Sequence, residues 1–176
     1  MSIYPRLLAI AAVVSGFDLS EALAASDVWK GSWKFEIDRQ DQPYLSYYDP
    51  RGKTVFRIGC GAHFETDAVY PGAPPKQENA PGSITIANGK TQMDLAGSID
   101  AGPESFPPNT TWFNQPDLGY ARDDPELYED KWLALENRVF DFLDSGHPLT
   151  ISAEGKSYVL PPVNVPRWRA RFEKIC

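Results

Sequence analysis

Short runs of alternating apolar and polar residues recur along this chain, and they limit the folds open to it. In the run VWKGSWKFEID, Trp29, Trp33 and Phe35 share one parity, while lysines and acids occupy the other. Successive side chains of a strand point to opposite faces of a sheet, so this period predicts a half-buried strand. The runs YLSYY and KTVFRI predict two further strands.

Turn-forming residues separate these strands. Asp49-Pro50-Arg51-Gly52 predicts a turn, because proline pre-sets one dihedral angle and glycine admits a positive one. Asn88-Gly89 is the pair preferred in a tight type I′ turn and predicts a hairpin in SITIANGKTQMDLAGSI. Glu154-Gly155 predicts a second hairpin in LTISAEGKSYVL. A Gly-Cys-Gly sequence predicts a bulge after which AHFET continues the strand KTVFRI.

Two proline-rich segments interrupt the strands. Residues 70 to 82, YPGAPPKQENAPG, contain four prolines and two glycines. Residues 101 to 120 form the second segment, with Phe106, Trp112, Phe113 and Tyr120 among turn formers. Both segments are predicted to be loops, and strands resume directly after the first.

A helix is predicted over about residues 125 to 144. Either Asp123 or Asp124 can cap its N–H groups, Pro125 suits the first turn, and Gly146 ends it before Pro148. Apolar residues at three- and four-residue steps predict one buried face. They are Tyr128, Trp132, Leu135, Val139 and Phe142.

The C-terminal run VPRWRARFEKIC fits either a strand or a helix. Trp168, Ala170 and Phe172 alternate with arginines, but Trp168, Phe172 and Ile175 also follow helical spacing. The early Pro166 and the lack of β-branched residues favour a short helix. The chain is therefore predicted to be an α+β domain, with a mainly antiparallel sheet (a sandwich or open barrel), one amphipathic helix and a short C-terminal helix.

The N-terminus has the features of a secretory signal peptide. Arg6 precedes the apolar run LLAIAAVV, and Ala22-Leu23-Ala24 fits the small-x-small cleavage rule. A retained membrane anchor is the alternative, but eight continuous apolar residues fall short of the ~20 that span a bilayer. We therefore expect residues 1–24 to be a signal peptide and residues 25–176 a single exported domain, periplasmic or secreted.

The charge of the chain limits its partners. The formal net charge is −7, which disfavours phosphate backbones and anionic lipid surfaces. Nine acids against three basic residues fall within 117–144, whereas residues 167–176 carry four basic residues and one acid. This asymmetry indicates either a charged binding surface or simply two solvent-exposed faces that differ in charge.

The two cysteines allow three hypotheses. In an exported chain, Cys60 and Cys176 are expected to form a disulfide that ties down the final helix. With His63 and His147 they would make a Cys₂His₂ zinc set, although only Cys60 and His63 are close in sequence. The third hypothesis is that Cys60 is a catalytic thiol and that His63 is its base. We predict the disulfide, with no metal and no cofactor.

Recognisable catalytic motifs are missing from the sequence, so a non-enzymatic role is favoured. Glu65 and Asp67 are two residues apart, as are Glu36 and Asp38, and either pair would share one face of a strand. Such a pair suggests an alternative, a cell-envelope hydrolase that uses carboxylate chemistry. No residue is predicted to be catalytic under the favoured interpretation.

Two groups of aromatic residues are candidates for binding. Tyr44, Tyr47 and Tyr48 crowd one strand, and Trp112, Phe113 and Tyr120 lie in or beside the second loop. Loop aromatics provide contact area at small entropic cost. The predicted function is an exported, inhibitor-like or binding module for an envelope protein or glycan; the alternative is that these aromatics cover the edge of the sheet.

The sequence also resembles small exported proteobacterial proteins. The resemblance lies in LSYY…VFRIGC and in LTISAEGKSYVLPP…RFEKIC, thus in the first strands and the last thirty residues. In style the chain is similar to the invasion-associated locus B proteins. This resemblance implies a periplasmic location and assigns no functional residue.

Overall fold

The computed structural model describes residues 27–60, 64–89, 91–115 and 125–175. These residues form ten strands and two helices. In chain order they are β1 Asp27–Val28, β2 Ser32–Ile37, β3 Pro43–Tyr48, β4 Thr54–Cys60, β5 Phe64–Tyr70, β6 Ala80–Ala87, β7 Gln92–Ala101, β8 Thr111–Asn114, α1 Pro125–Leu143, β9 Leu149–Ala153, β10 Lys156–Leu160 and α2 Trp168–Ile175.

The strands form one continuous sheet in the order β1-β10-β9-β6-β7-β8-β5-β4-β3-β2. Every pairing is antiparallel except that of β1 with β10, which is parallel. The prediction of an α+β fold with a mainly antiparallel sheet and two helices is thereby confirmed.

The sheet is strongly curled. Its first and last strands, β1 and β2, are separated by residues 29–31 alone, which bridge at most about 15 Å. Ten strands laid flat would be about 40 Å wide, so the two edges must approach each other. Gly31 permits this crossing, because a Cβ there would lie 1.9 Å from the backbone oxygen of Tyr48.

Hydrogen bonds across the interior hold the curl. The Tyr158 hydroxyl of β10 donates to the Val69 carbonyl of β5 at 3.0 Å, and the Trp33 indole of β2 donates to the Pro161 carbonyl at 2.9 Å. Each bond joins strands that are distant in the order of the sheet. Burial raises the pKa of the Tyr158 phenol, so the hydroxyl remains a donor.

The core lies on the concave face and is rich in aromatic rings. Phe172 of α2 packs edge-on against Phe140 of α1 at 5.2 Å and against Phe64 of β5 at 6.4 Å between ring centroids. The side chains of Tyr47, Phe56, Phe113, Phe140 and Phe172 are fully buried. Such aromatic pairs contribute about 0.5–1.5 kcal/mol each beyond the area that they bury.

The two helices are also joined by charge. Arg169 of α2 donates to Asp141 of α1 at 2.9 Å and to Glu173 one turn further along its own helix at 2.8 Å. Its guanidinium also lies 5.4 Å from the centroid of the Phe140 ring. The acidic end of α1 and the basic tail therefore face each other across this contact.

Three details of the strand prediction are wrong. AHFET does not continue β4 past a bulge, because Phe64 pairs back with Cys60 in an antiparallel ladder, so β5 runs in the opposite direction to β4. The loop over residues 101 to 120 contains strand β8, which neighbours on both edges stabilise. β6 begins at Ala80, within the first proline-rich segment, and Pro81 is tolerated because β6 pairs on that stretch with β7 alone.

Both predicted hairpins are confirmed, but the tight type I′ turn predicted at Asn88-Gly89 is wrong. Glu154 and Gly155 both have positive φ, 50° and 73°, in a two-residue turn between β9 and β10. The turn between β6 and β7 is wider, since Ala87 pairs with Gln92. Gly89 adopts φ 82° there, a conformation that glycine accepts without strain.

The main helix ends at Leu143, one residue before the predicted end. Val139 and Phe142 are buried as predicted, while Phe140 and Leu143 join them in the core and Leu133 is exposed. The side chains of Tyr128 and Trp132 lie outside the described residues, as does the predicted signal peptide. In the part of the chain that is described, neither helix has the length and apolar composition needed to cross a bilayer.

Candidate functional site

A cleft of about 630 Å³ opens where β5 and β7 end and β8 begins. Its lining comes from residues within 69–78 and from 100–101 and 109–111. Apart from Val69 and Asp100, these residues fall in the proline-rich segments that interrupt the strands in the sequence. The volume lies within the roughly 300–1,000 Å³ that small-molecule sites occupy.

Residues 71–79, the first wall of the cleft, are anchored by the β9–β10 turn. A carboxylate oxygen of Glu154 accepts a hydrogen bond from the Ala73 amide at 2.9 Å, and the other accepts one from the Tyr70 hydroxyl at 3.2 Å. Gly72 lies against Tyr70 and Glu154, since a Cβ there would be 2.3 Å from the Tyr70 ring and 2.9 Å from a Glu154 carboxylate oxygen. These contacts fix the start of the loop.

Residues 102–110, the second wall, are closed by their own hydrogen bonds. The Gly102 amide donates to the Thr110 carbonyl at 2.9 Å, and the Thr110 hydroxyl donates to the Pro107 carbonyl at 2.6 Å. Asn109 has φ 62°, which asparagine tolerates better than most residues. The wall is therefore formed before any ligand arrives.

We call the polar lining residues of the cleft its rim and the apolar ones its sides. Lys76, Glu78 and Asp100 supply its charges, and Pro74, Pro75 and the Tyr70 ring supply rigid apolar surface. One Asp100 oxygen accepts from the Ala101 amide at 2.7 Å. With one base against two acids, the cleft is weakly negative.

Trp112 and Phe113, from the second group of predicted binding aromatics, lie on opposite faces of the sheet. Trp112 lies on β8 between Val69 and Asp100, two residues that line the cleft. Its half-buried ring packs on Phe106 at 5.6 Å. Phe113 points to the opposite face and is fully buried, so its ring offers no surface to a ligand. Tyr120 lies outside the described residues.

The three tyrosines of β3 also lie on two different faces of the sheet. Tyr47 is fully buried, and its hydroxyl donates to the Trp29 carbonyl at 2.6 Å. Tyr44 and Tyr48 lie on the convex face, where Tyr48 bonds Glu36. They are on β3, whereas the cleft lies at the ends of β5, β7 and β8, and the structure does not bring them to it.

A cluster of polar and charged side chains, separate from the cleft, lies on the convex face of the sheet. Arg57 of β4 donates through its Nε to the fully buried Asp67 of β5 at 2.8 Å, and Asn114 of β8 donates to the other Asp67 oxygen at 2.7 Å. Tyr44 lies 5.0 Å from the guanidinium. Glu65 shares this face with Asp67, as the two-residue spacing predicts, and approaches Arg57 at 3.9 Å.

The ionisation of this cluster follows from its burial. Burial and the neighbouring Asp67 raise the pKa of Glu65, and Arg57 lowers it in part. Burial disfavours the charge of Arg57, but its ion pair and hydrogen bonds with Asp67 outweigh this and raise its pKa. Burial also raises the pKa of Tyr44.

Cys60 is the one cysteine of the two that lies among the described residues. Cys60 ends β4 opposite Phe64, whose ring contacts Phe172, four residues before Cys176. Cys60 is not free in the structure. Cys176 and His63 lie outside the described residues, so the disulfide stays a prediction. Among the described residues no cluster of three or more potential ligands could hold a metal ion.

The cleft residues Lys76, Gln77 and Asp100 were missed from the sequence. Their signal was present in part, because a polar run, KQEN, follows the two prolines of the first loop. Their position opposite Asn109 and Thr110 depends on the placement of β8 between β5 and β7. The sequence pattern does not reveal that order.

No protein-family model, no curated protein and no solved structure matches this chain. The resemblance to the invasion-associated locus B proteins stays a hypothesis. What the protein does must be inferred from its residues and their geometry.

Proposed function

We propose that this protein is a non-enzymatic binding module of the cell envelope and that the cleft between its two proline-rich loops is the ligand site. The observation that carries the proposal is the cleft itself, lined by residues within 69–78, 100–101 and 109–111. Glu154 anchors the start of the first wall, and the second wall is closed by its own hydrogen bonds. A site formed in advance loses little conformational entropy when it binds.

The interior of the curled sheet supports a site at its rim. We treat the sheet as an open barrel, whose inside is filled by side chains such as Tyr47, Phe56 and Phe113, all fully buried. A barrel packed in this way leaves no room for an internal ligand. Recognition is then left to the loops at its end.

The hydrolase alternative receives less support. Both oxygens of Asp67 are engaged, one by Arg57 and the other by Asn114. A carboxylate held in this way and fully buried is poorly placed to attack a substrate or activate water. Of the pair Glu65 and Asp67, only Glu65 remains for carboxylate chemistry. In the other pair, Glu36 accepts a hydrogen bond from Tyr48, and Asp38 accepts from two backbone amides of the β2–β3 turn.

Export and a disulfide complete the proposal. The N-terminal 24 residues have the pattern of a signal peptide, and an oxidising compartment would join Cys60 to Cys176. The packing of Phe172 on Phe64 supports this pairing, because it holds α2 near the end of β4.

The test is recovery of bound material from an envelope extract of the source organism. The mature chain is compared with a Lys76→Ala, Glu78→Ala double variant, which removes two charged side chains from the cleft. We expect the double variant to lose at least tenfold of the protein or glycan that the unchanged chain recovers.

The matched control is a Lys34→Ala, Glu36→Ala double variant. It removes the same pair of residues, at the same spacing, from exposed positions of β2 that do not line the cleft. The control should recover as much as the unchanged chain. Equal recovery by all three proteins, or none by any, would contradict the proposal.

A further inference from the structure

We infer that the ligand of the cleft is a neutral oligosaccharide; this inference rests on the binding function proposed above. Four properties of the cleft lead to it: the hydrogen-bonding character of its rim, its apolar sides, its charge and its rigidity. The shared chemistry is a chain of hydroxyl-bearing rings, whether it comes from a soluble sugar or from a polymer of the envelope.

The rim offers both donors and acceptors at close spacing. Gln77 and Asn109 carry amides that donate and accept, Asp100 and Glu78 accept, and Lys76 donates. A sugar hydroxyl is itself a donor and an acceptor, so a mixed set of this kind can satisfy adjacent hydroxyls in pairs. A purely apolar ligand would leave these groups without partners, at a cost of about 1–3 kcal/mol for each one buried.

The sides of the cleft suit the other surface of a sugar. Pro74 and Pro75 present rigid rings, and Tyr70 also lines the cleft. The C–H faces of a pyranose ring are apolar and flat, and they pack on such rings while the hydroxyls at the edge reach the polar rim.

Charge and strand pairing disfavour the other classes of ligand. Glu78 and Asp100 outweigh Lys76, so a phosphate-bearing ligand would be repelled. The central strand β8 is paired on both edges, with Tyr70 and Ala101 opposite Thr111. An extended peptide therefore cannot join β8 as a further strand.

The rigidity of the walls matters for a ligand of this kind. Hydroxyl groups give up strong hydrogen bonds to water when they bind, so the net gain from each contact is small, about 0.5–1.5 kcal/mol. Such small gains accumulate when the protein groups are already in place. Glu154 fixes the start of the first wall, and hydrogen bonds of Gly102 and Thr110 close the second.

The test is ligand-observed saturation-transfer NMR on the purified mature chain. The probes are maltotriose, cellotriose and triacetylchitotriose at millimolar concentration, each alone and in competition with soluble envelope polysaccharide. We expect saturation transfer to at least one trisaccharide. Asp100→Ala and Gln77→Ala should each weaken its binding at least fivefold.

The controls remove the same side chains elsewhere on the sheet. Asp94→Ala and Gln92→Ala alter exposed positions of β7 outside the cleft and should bind as the unchanged chain does. Absence of transfer to all three trisaccharides, or equal weakening by the control variants, would overturn the saccharide inference. If envelope recovery still depended on Lys76 and Glu78, the binding function would stand with a different ligand.

Discussion

Asp67 shows how one buried charge organises its surroundings. Its two oxygens receive hydrogen bonds from Arg57 on one neighbouring strand and Asn114 on the other. A buried carboxylate without such partners would cost several kcal/mol. Gly59 makes room above this network, because a Cβ there would lie 2.5 Å from the Tyr44 ring and 2.8 Å from a Glu65 oxygen. The cluster therefore joins β4, β5 and β8 through the Asp67 side chain.

Replacement of Glu65 by glutamine should stabilise the protein at neutral pH. Burial and Asp67 raise the pKa of Glu65, so the folded state binds its proton more tightly than the unfolded state does. The ionised form then destabilises the fold as pH rises through this pKa. For a side chain 33% exposed, we expect a gain of up to about 1 kcal/mol at pH 7.

Urea unfolding at pH 7 and at successively lower pH measures the effect. The gain should shrink as the pH falls and vanish below about 4.3, the ordinary pKa of glutamate, where Glu65 is protonated in both states. Glu104→Gln, at an exposed turn position, is the control and should change little. A loss of stability at pH 7 in the Glu65→Gln protein would mean that the contact with Arg57 outweighs burial.

The C-terminal helix depends on contacts from outside itself. Isolated helices this short do not persist in water. α2 has eight residues, and its order follows from the burial of Trp168 and Phe172 and from the bonds of Arg169 to α1. The sequence shows the opposite charges of the acidic α1 segment and the basic C-terminal tail. It does not predict that these two segments contact each other.

Reduction should destabilise the protein through this helix. A bond between Cys60 and Cys176 closes a loop of more than 100 residues, worth about 4–5 kcal/mol on the chain-entropy model. We expect reductant to lower the melting temperature of the unchanged chain, measured by calorimetry, and to leave a Cys60→Ser, Cys176→Ser variant unaffected. Equal melting temperatures with and without reductant would contradict the disulfide.

The sequence predicted the elements better than their arrangement. Local chemistry was sufficient for the turn at Glu154-Gly155 and for the shared face of Glu65 and Asp67. β8 was missed because its four residues, Thr111–Asn114, give too short a pattern among turn formers. Pairing on both edges stabilises the strand. The cleft depends on non-consecutive strands meeting, which no local pattern encodes.

The molecule is held together by contacts that cross the curled sheet. β1 and β2 occupy opposite edges although residues 29–31 alone separate them. Tyr158 and Trp33 bind carbonyl groups on distant parts of the sheet. The same curl brings Glu154 to the first wall of the cleft, so fold and site depend on one feature.

Loss of the Tyr158 hydroxyl tests this dependence. Tyr158→Phe keeps the ring packed on Trp29 but removes the bond to the Val69 carbonyl. We expect a loss of about 1–2 kcal/mol in urea unfolding, because the bond is buried. Tyr48→Phe removes an exposed hydroxyl bond and should cost less than about 0.5 kcal/mol. Equal, negligible losses would show that the bond does not hold the curl.

The most direct measurement of the proposed site is an amide-shift titration by NMR. Labelled mature protein is titrated with the envelope material that it recovers, and the shifted amides are assigned. We predict that shifts concentrate in residues 70–78 and 100–111, while the amides of Arg57, Asp67 and Asn114 remain in place. Shifts centred on those three residues with an unchanged cleft, or no shifts at all, would contradict the account.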